Sequence, residues 1–152
     1  MDPMRKLRGW LQRRGFRLKL VRKAKNEVCC TDKVVTLQTT LTLKSQVATL
    51  LHECGHVLVH LARKRSRCTK VAGASWKDWE SLRDSRSKRS ELLALQEEMV
   101  AWDRGERLAR RLRIKVCTKF QRLVRTRALM TYVRHLAAPS LVPRDVRSQR
   151  GR

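Results

Sequence analysis

Acidic residues are scarce in this chain: 13 Asp and Glu stand against 37 Lys and Arg, a formal net charge of +24 over 152 residues. Solubility alone does not need such an excess. It predicts attraction to a polyanion, whether nucleic acid, an anionic membrane face or an acidic protein. Cysteines are also few. There are five, an odd count; Cys29 and Cys30 are adjacent, and no C-x-x-C pair occurs. That argues against both a disulfide framework and a cysteine-based structural zinc site, and predicts reduced thiols in a cytosol. No apolar run is long enough to span a bilayer, so no membrane insertion is expected. No stretch near Met1 resembles a signal peptide's apolar core, which predicts a cytoplasmic protein. Internal repeats are absent.

The charge that is present sits mostly at the ends. Residues 1–25 hold ten basic side chains and one acid, and residues 104–152 hold fifteen and two, whereas residues 26–103 carry twelve and ten. The pattern predicts a nearly neutral centre between basic flanks that can contact nucleic acid through phosphates. Hydrophobic residues make up 41% of the chain, enough for one globular core at this length. One domain over residues 1–138 is expected, followed by a basic, disordered tail over 139–152.

Periodicity predicts a small α+β fold. Residues 5–14 read as an amphipathic helix with Leu7 and Trp10 as apolar contacts, ended near Gly15. Residues 16–21 alternate as a half-exposed strand, and 28–31 as a short one, with a turn at Asp32-Lys33. Residues 34–43, rich in Thr and β-branched side chains, read as one long or two short strands. Helices are expected over 45–63, capped by Thr42 or Ser45, over 90–113, capped by Ser90, and over 118–137. Phe120, Val124, Leu129, Val133 and Leu136 are candidate apolar contacts of the last. Residues 66–89 read as a polar loop with one turn around 76–82. A short antiparallel or mixed sheet would pack on the first two long helices.

The first long helix contains His52-Glu53-Cys54-Gly55-His56, an H-E-x-x-H arrangement. Residues four apart lie on one helical face, so His52 and His56 can point both imidazoles at one metal ion. Glu53 emerges beside them, placed to take a proton from a water activated by the metal. Leu50, Leu51, Cys54, Val57, Leu58 and Leu61 fill the other faces. Buried histidines and a glutamate among them are costly unless something satisfies them, and a zinc ion would. Cys54 points away from that site.

The stretch Leu51-His52-Glu53-Cys54-Gly55-His56-Val57-Leu58, with Thr49 before it, resembles the signature of the compact ImmA/IrrE-type zinc metallopeptidases. Those show a downstream Glu-x-x-Ala motif on a helix, whose glutamate is the third ligand. This chain offers Glu98-Met99-Val100-Ala101. The resemblance covers roughly residues 34–112. It implies a zincin-like fold, a Zn2+ cofactor, a peptide or protein substrate and Glu53 as general base. The small size and basicity would suit a phage or mobile-element protein.

Spacing selects the same glutamate. A metal bridged by two helices needs them close, and close packing needs small residues. Glu98, Ala101, Gly105, Leu108, Ala109 and Leu112 form one stripe at i, i+3 and i+4 intervals. Glu97 shares its stripe with Arg104 and Arg111, which suits solvent, and is the second choice. His60 is one turn beyond His56, about 6 Å further along the axis, and reads as a supporting or helix-end residue. His135 is the remaining histidine, either exposed or a distant third ligand of the kind found in SprT-like, DNA-associated proteases. Tyr132, on one face with His135, is a candidate oxyanion partner. If the strand before the motif helix lies at a sheet edge, it could pair with a peptide substrate. A non-enzymatic reading, a basic nucleic-acid-binding protein with a structural metal, stays open at this point.

Overall fold

The computed structural model describes residues 2–65, 70, 71, 73–82 and 87–137. The basic tail expected at 139–152 lies outside them. Among the described residues the order is α1 (Pro3–Gln12), β1 (Arg17–Val21), β2 (Glu27–Cys29), β3 (Val34–Gln38), α2 (Leu43–Arg65), α3 (Trp76–Leu82), α4 (Lys88–Arg111) and α5 (Thr118–Ala137). The expected α+β class stands.

Helix starts follow capping chemistry. The Asp2 carboxylate accepts from the Met4 and Arg5 amides ahead of α1, and Pro3 needs no amide partner there. Thr42 Oγ1 accepts from the Ser45 amide at 3.3 Å, so Thr42, not Ser45, opens α2. The cap of α4 is Ser87 rather than the expected Ser90, because the Ser90 amide is itself the donor to Ser87. Both long helices therefore begin about a half-turn before the position read from periodicity. Beyond α1, Gly15 takes φ +76°, which a side chain disfavours, and turns the chain into β1.

The sheet has the order β1-β3-β2. β1 runs parallel to β3, with Arg17 opposite Val34, and β2 runs antiparallel to it, with Val28 opposite Val35. β3 alternates as a one-sided strand should, with Val35 and Leu37 fully buried. The strand before the motif helix is central, so the edge condition for peptide pairing is not met by β3, which stops at Gln38. The edge on the site's side is β2.

α1, β3, α2 and the end of α4 enclose the core, built from Leu7, Trp10, Phe16, Val35, Leu51 and Leu108 among others. α5 is attached more loosely. Its only buried side chain is Gln121, and Val133, expected inside, is 41% exposed.

α2 and α4 approach each other backbone to backbone. A Cβ on Gly55 would run into the carbonyl oxygen of Ala101. In return, a Cβ on Gly105 would lie 2.5 Å from the carbonyl oxygen of Leu51. Glycine inside a helix costs about 1 kcal/mol relative to alanine. Two such costs are retained because they let the helix backbones touch.

This gives a prediction of opposite signs. Gly55→Ala and Gly105→Ala should each destabilise by about 1–3 kcal/mol, since the collision outweighs the propensity gain. Gly9→Ala in α1, whose Cβ would meet only Arg13 Nη1 at 3.6 Å, should be neutral or stabilising by up to ~1 kcal/mol. Urea denaturation of the three variants checks this.

Candidate metal centre

The α2–α4 contact sets the site directly. Gly55 lies between His52 and His56 in sequence, and Ala101 lies one turn beyond Glu98. Bringing Gly55 onto Ala101 therefore brings the two histidines onto Glu98. His52 Nε2 is 3.1 Å from Glu98 Oε2, and His56 Nε2 is 3.3 Å from Glu98 Oε1. The two Nε2 atoms are 3.1 Å apart. His52, His56 and Glu98 are the one group of described His, Cys, Asp and Glu residues arranged to hold a metal ion.

The donor set fits such an ion on geometry. Nitrogen and oxygen ligands at about 2.0–2.1 Å around a tetrahedral centre stand ~3.3 Å from one another. The separations are close to that edge length, with Glu98 turning one oxygen to each histidine. Three protein donors also leave one position open.

Electrostatics point the same way. Burial alone would drive the proton off His56, but hydrogen bonds with Glu97 and Glu98 outweigh it and push its pKa up to about 10. Burial would raise the Glu98 carboxyl, yet hydrogen bonds from His52 and His56 hold it well below the usual carboxylate range. The pocket is thus built around a positive charge. In the metal-free chain a proton supplies it, and a cation can replace that proton.

Glu53 is buried to 5% exposure, and that burial raises its pKa, with His52 and His56 pulling it partly back. It opens on the same cleft as the three metal donors. The cleft holds about 880 Å³ and is walled by β2, by the middles of α2 and α4, and by Ala128, Thr131 and Tyr132 of α5.

The remaining sequence candidates separate. Tyr132 reaches the site, its hydroxyl donating to Glu98 Oε1 at 2.9 Å. His135 does not. It is 77% exposed, with Glu91 as its nearest carboxylate at 3.8 Å. His60 lines the cleft but lies outside the donor group, as its place one turn on requires.

Glu97 corrects the reading that placed it in solvent. Its Oε1 lies 3.4 Å from His56 Nδ1, and its Oε2 accepts from Arg63 Nη1 at 2.7 Å. Arg63 is 2% exposed and also donates to the Val71 carbonyl. Arg63, Glu97 and His56 form a line in which a carboxylate orients a ligand imidazole through its far nitrogen. Burial opposes the Glu97 charge, but His56 and Arg63 overcome it and lower its pKa. α4 lies deep enough across α2 that two of its stripes, not one, face inward. Arg104, on the second stripe, accordingly donates to the Leu58 carbonyl at 2.6 Å.

Trp102 had no role in the sequence reading. Its ring stacks on His52 at 4.3 Å between centroids and 24° between planes. His52 Nδ1 has no hydrogen-bond partner among the described atoms, so the ring is held by its Nε2 contacts with Glu98 and His56 and by this stacking. Trp102 follows Glu98 by four residues, which puts both on one face of α4. That spacing was the signal available in the sequence.

No protein-family model matches this chain, and no curated protein or solved structure is significantly similar to it.

After incubation with a divalent metal salt and desalting, the protein should retain one metal ion per chain by mass spectrometry. His56→Ala and Glu98→Ala should retain none, and His135→Ala should match the parent. Glu97→Gln should bind about 10–100-fold more weakly, as expected for loss of a supporting carboxylate.

Proposed function

We propose that this chain is a zinc-dependent metallopeptidase of the ImmA/IrrE type, with His52, His56 and Glu98 as metal ligands and Glu53 as general base. The observation that carries the reading is the convergence of three metal donors and a separate buried carboxylate on one open cleft. Three donors with a vacant fourth position is the catalytic pattern, whereas structural zinc sites are closed by four. The Glu98-to-Ala101 segment, placed by packing and not only by spacing, supports the family assignment. Zinc in such a site supplies Lewis acidity, polarising a scissile carbonyl and bringing the pKa of a water toward ~7.

The chain's own residues would do the rest. Glu53, with its raised pKa, is suited to take a proton from water and return it to the leaving amine. It is not one of the donors, so its role is separable from holding the ion. Tyr132 would stay protonated, since burial and the neighbouring Glu98 charge raise its pKa. Its hydroxyl could then leave Glu98 and donate to the developing oxyanion. Among the described residues β2 pairs only with β3, which leaves its outer edge to receive an extended peptide. The same strand lines the cleft, which would lay the peptide across the donors.

The described cysteines, Cys29, Cys30, Cys54 and Cys117, are unpaired, which suits a reducing compartment. No described helix is long and apolar enough to cross a membrane.

Glu53→Gln separates enzyme from structural metalloprotein. It should hold one zinc, melt close to the parent and cleave nothing, while Tyr132→Phe should keep zinc and lose roughly 10²-fold in rate. The readout is a comparison of peptide maps, first of the protein itself and then of a cell lysate digested by the zinc-loaded protein. Identical maps for parent and Glu53→Gln, both zinc-loaded, would make the metal structural.

A further inference from the structure

A second concave surface lies at the C-terminal end of α4. From Glu98 to Leu112 the helix rises by about 21 Å, which separates this surface from the metal donors. It is a groove of about 760 Å³ between α1 and the end of α4. Arg5, Arg8 and Arg13 form one wall, and Arg111 and Arg113 the other. All five side chains are exposed. No acidic side chain lines the groove, and none of the five takes part in an ion pair among the described residues.

The fold holds these charges together against their repulsion. α1 turns Leu7, Trp10 and Leu11 into the core, so its arginines must face out. Lys6 Nζ donates to the carbonyls of Leu112 and Arg113 at 2.9 and 3.0 Å, which ties α1 to the end of α4 and fixes the groove's width. Arg113 has φ +50°, which turns the chain there. Beside Arg13, burial and then the charges of Arg111 and Arg13 lower the pKa of Arg14. Crowding of this kind costs energy in the free protein, and a bound polyanion would relieve it.

We propose that this groove binds the phosphodiester backbone of a nucleic acid, independently of the metal centre. Guanidinium groups on two facing walls can pair with successive phosphates through paired N–H donors. Contacts of this kind carry little sequence information. Gly9, midway along the α1 wall, adds no side chain to the floor. A membrane surface fits less well, because none of the exposed large apolar side chains (Leu20, Leu43, Leu92, Met99, Leu123, Met130 and Val133) lines the groove to enter a bilayer.

The test is fluorescence anisotropy with the full chain and three labelled probes of equal length and unrelated sequence: duplex DNA, single-stranded DNA and single-stranded RNA. Vesicles of phosphatidylserine and phosphatidylcholine form a fourth arm. The parent should bind at least one nucleic acid with an affinity that falls steeply with salt, and the probe preferred identifies its source. Arg8→Glu/Arg13→Glu should weaken binding at least 10-fold and flatten the salt slope. Arg122→Glu/Arg127→Glu makes the same charge change on exposed positions of α5 and should leave affinity within about 2-fold. Thermal melts and metal content of both variants should match the parent, which shows that the fold and metal centre are intact. Equal losses in the two double variants would overturn the proposal, because net charge and not the groove would then be responsible. Binding to vesicles without binding to any nucleic acid would overturn it as well.

Discussion

The backbone contact between Gly55 on α2 and Ala101 on α4 governs the rest of this structure. A side chain at position 55 would hold the helices apart by the width of a methyl group. Ligand atoms now about 3 Å apart would then lie too far apart to share an ion. The reciprocal contact of Gly105 with Leu51 fixes the crossing at a second point, so neither helix can pivot. Both contacts occur within two turns of His52, His56 and Glu98. The clustering of these three donors is therefore a consequence of how the helices pack, and not an addition to a finished core.

That packing encloses charge. Two imidazoles, three carboxylates and the Arg63 guanidinium lie within or beside an apolar helix pair. Buried charges of this kind are tolerated only when paired and hydrogen-bonded. The pairing here is nearly complete: Glu98 serves both histidines and Tyr132, and Glu97 serves His56 and Arg63. Glu53 has no cation so close. Burial answers by favouring its neutral form. The two glutamates next to each other in sequence thus do different work because they face different partners. Glu98 faces the Nε2 atoms of both histidines, and Glu97 reaches His56 from its Nδ1 side.

Much of this was legible in the sequence, for identifiable reasons. The His52/His56 pair follows from helical spacing alone, and Glu98 from the small residues Ala101 and Gly105 behind it. The α+β class followed from periodicity, and α5 begins and ends where its pattern does. What was misread depended on partners distant in the chain. Glu97 looked solvent-facing because its stripe carries arginines, yet its partner Arg63 is 34 residues away on another helix. The central place of β3 was not legible, because strand order is set by pairing, which local alternation does not encode. Tyr132 and Trp102 enter the site only once α5 and α2 are laid on α4. Val133 has an apolar side chain but faces out, since α5 touches the domain along a narrow seam.

The central claim is the identity of the donor atoms. X-ray absorption at the zinc K-edge of the loaded protein reads them directly. The account predicts a first shell of nitrogen and oxygen at about 2.0–2.1 Å, with the outer-shell scattering of two imidazole rings and no sulfur. A sulfur shell near ~2.3 Å would mean that a cysteine holds the metal. That result, or scattering from fewer than two imidazoles, would contradict the site built by His52, His56 and Glu98.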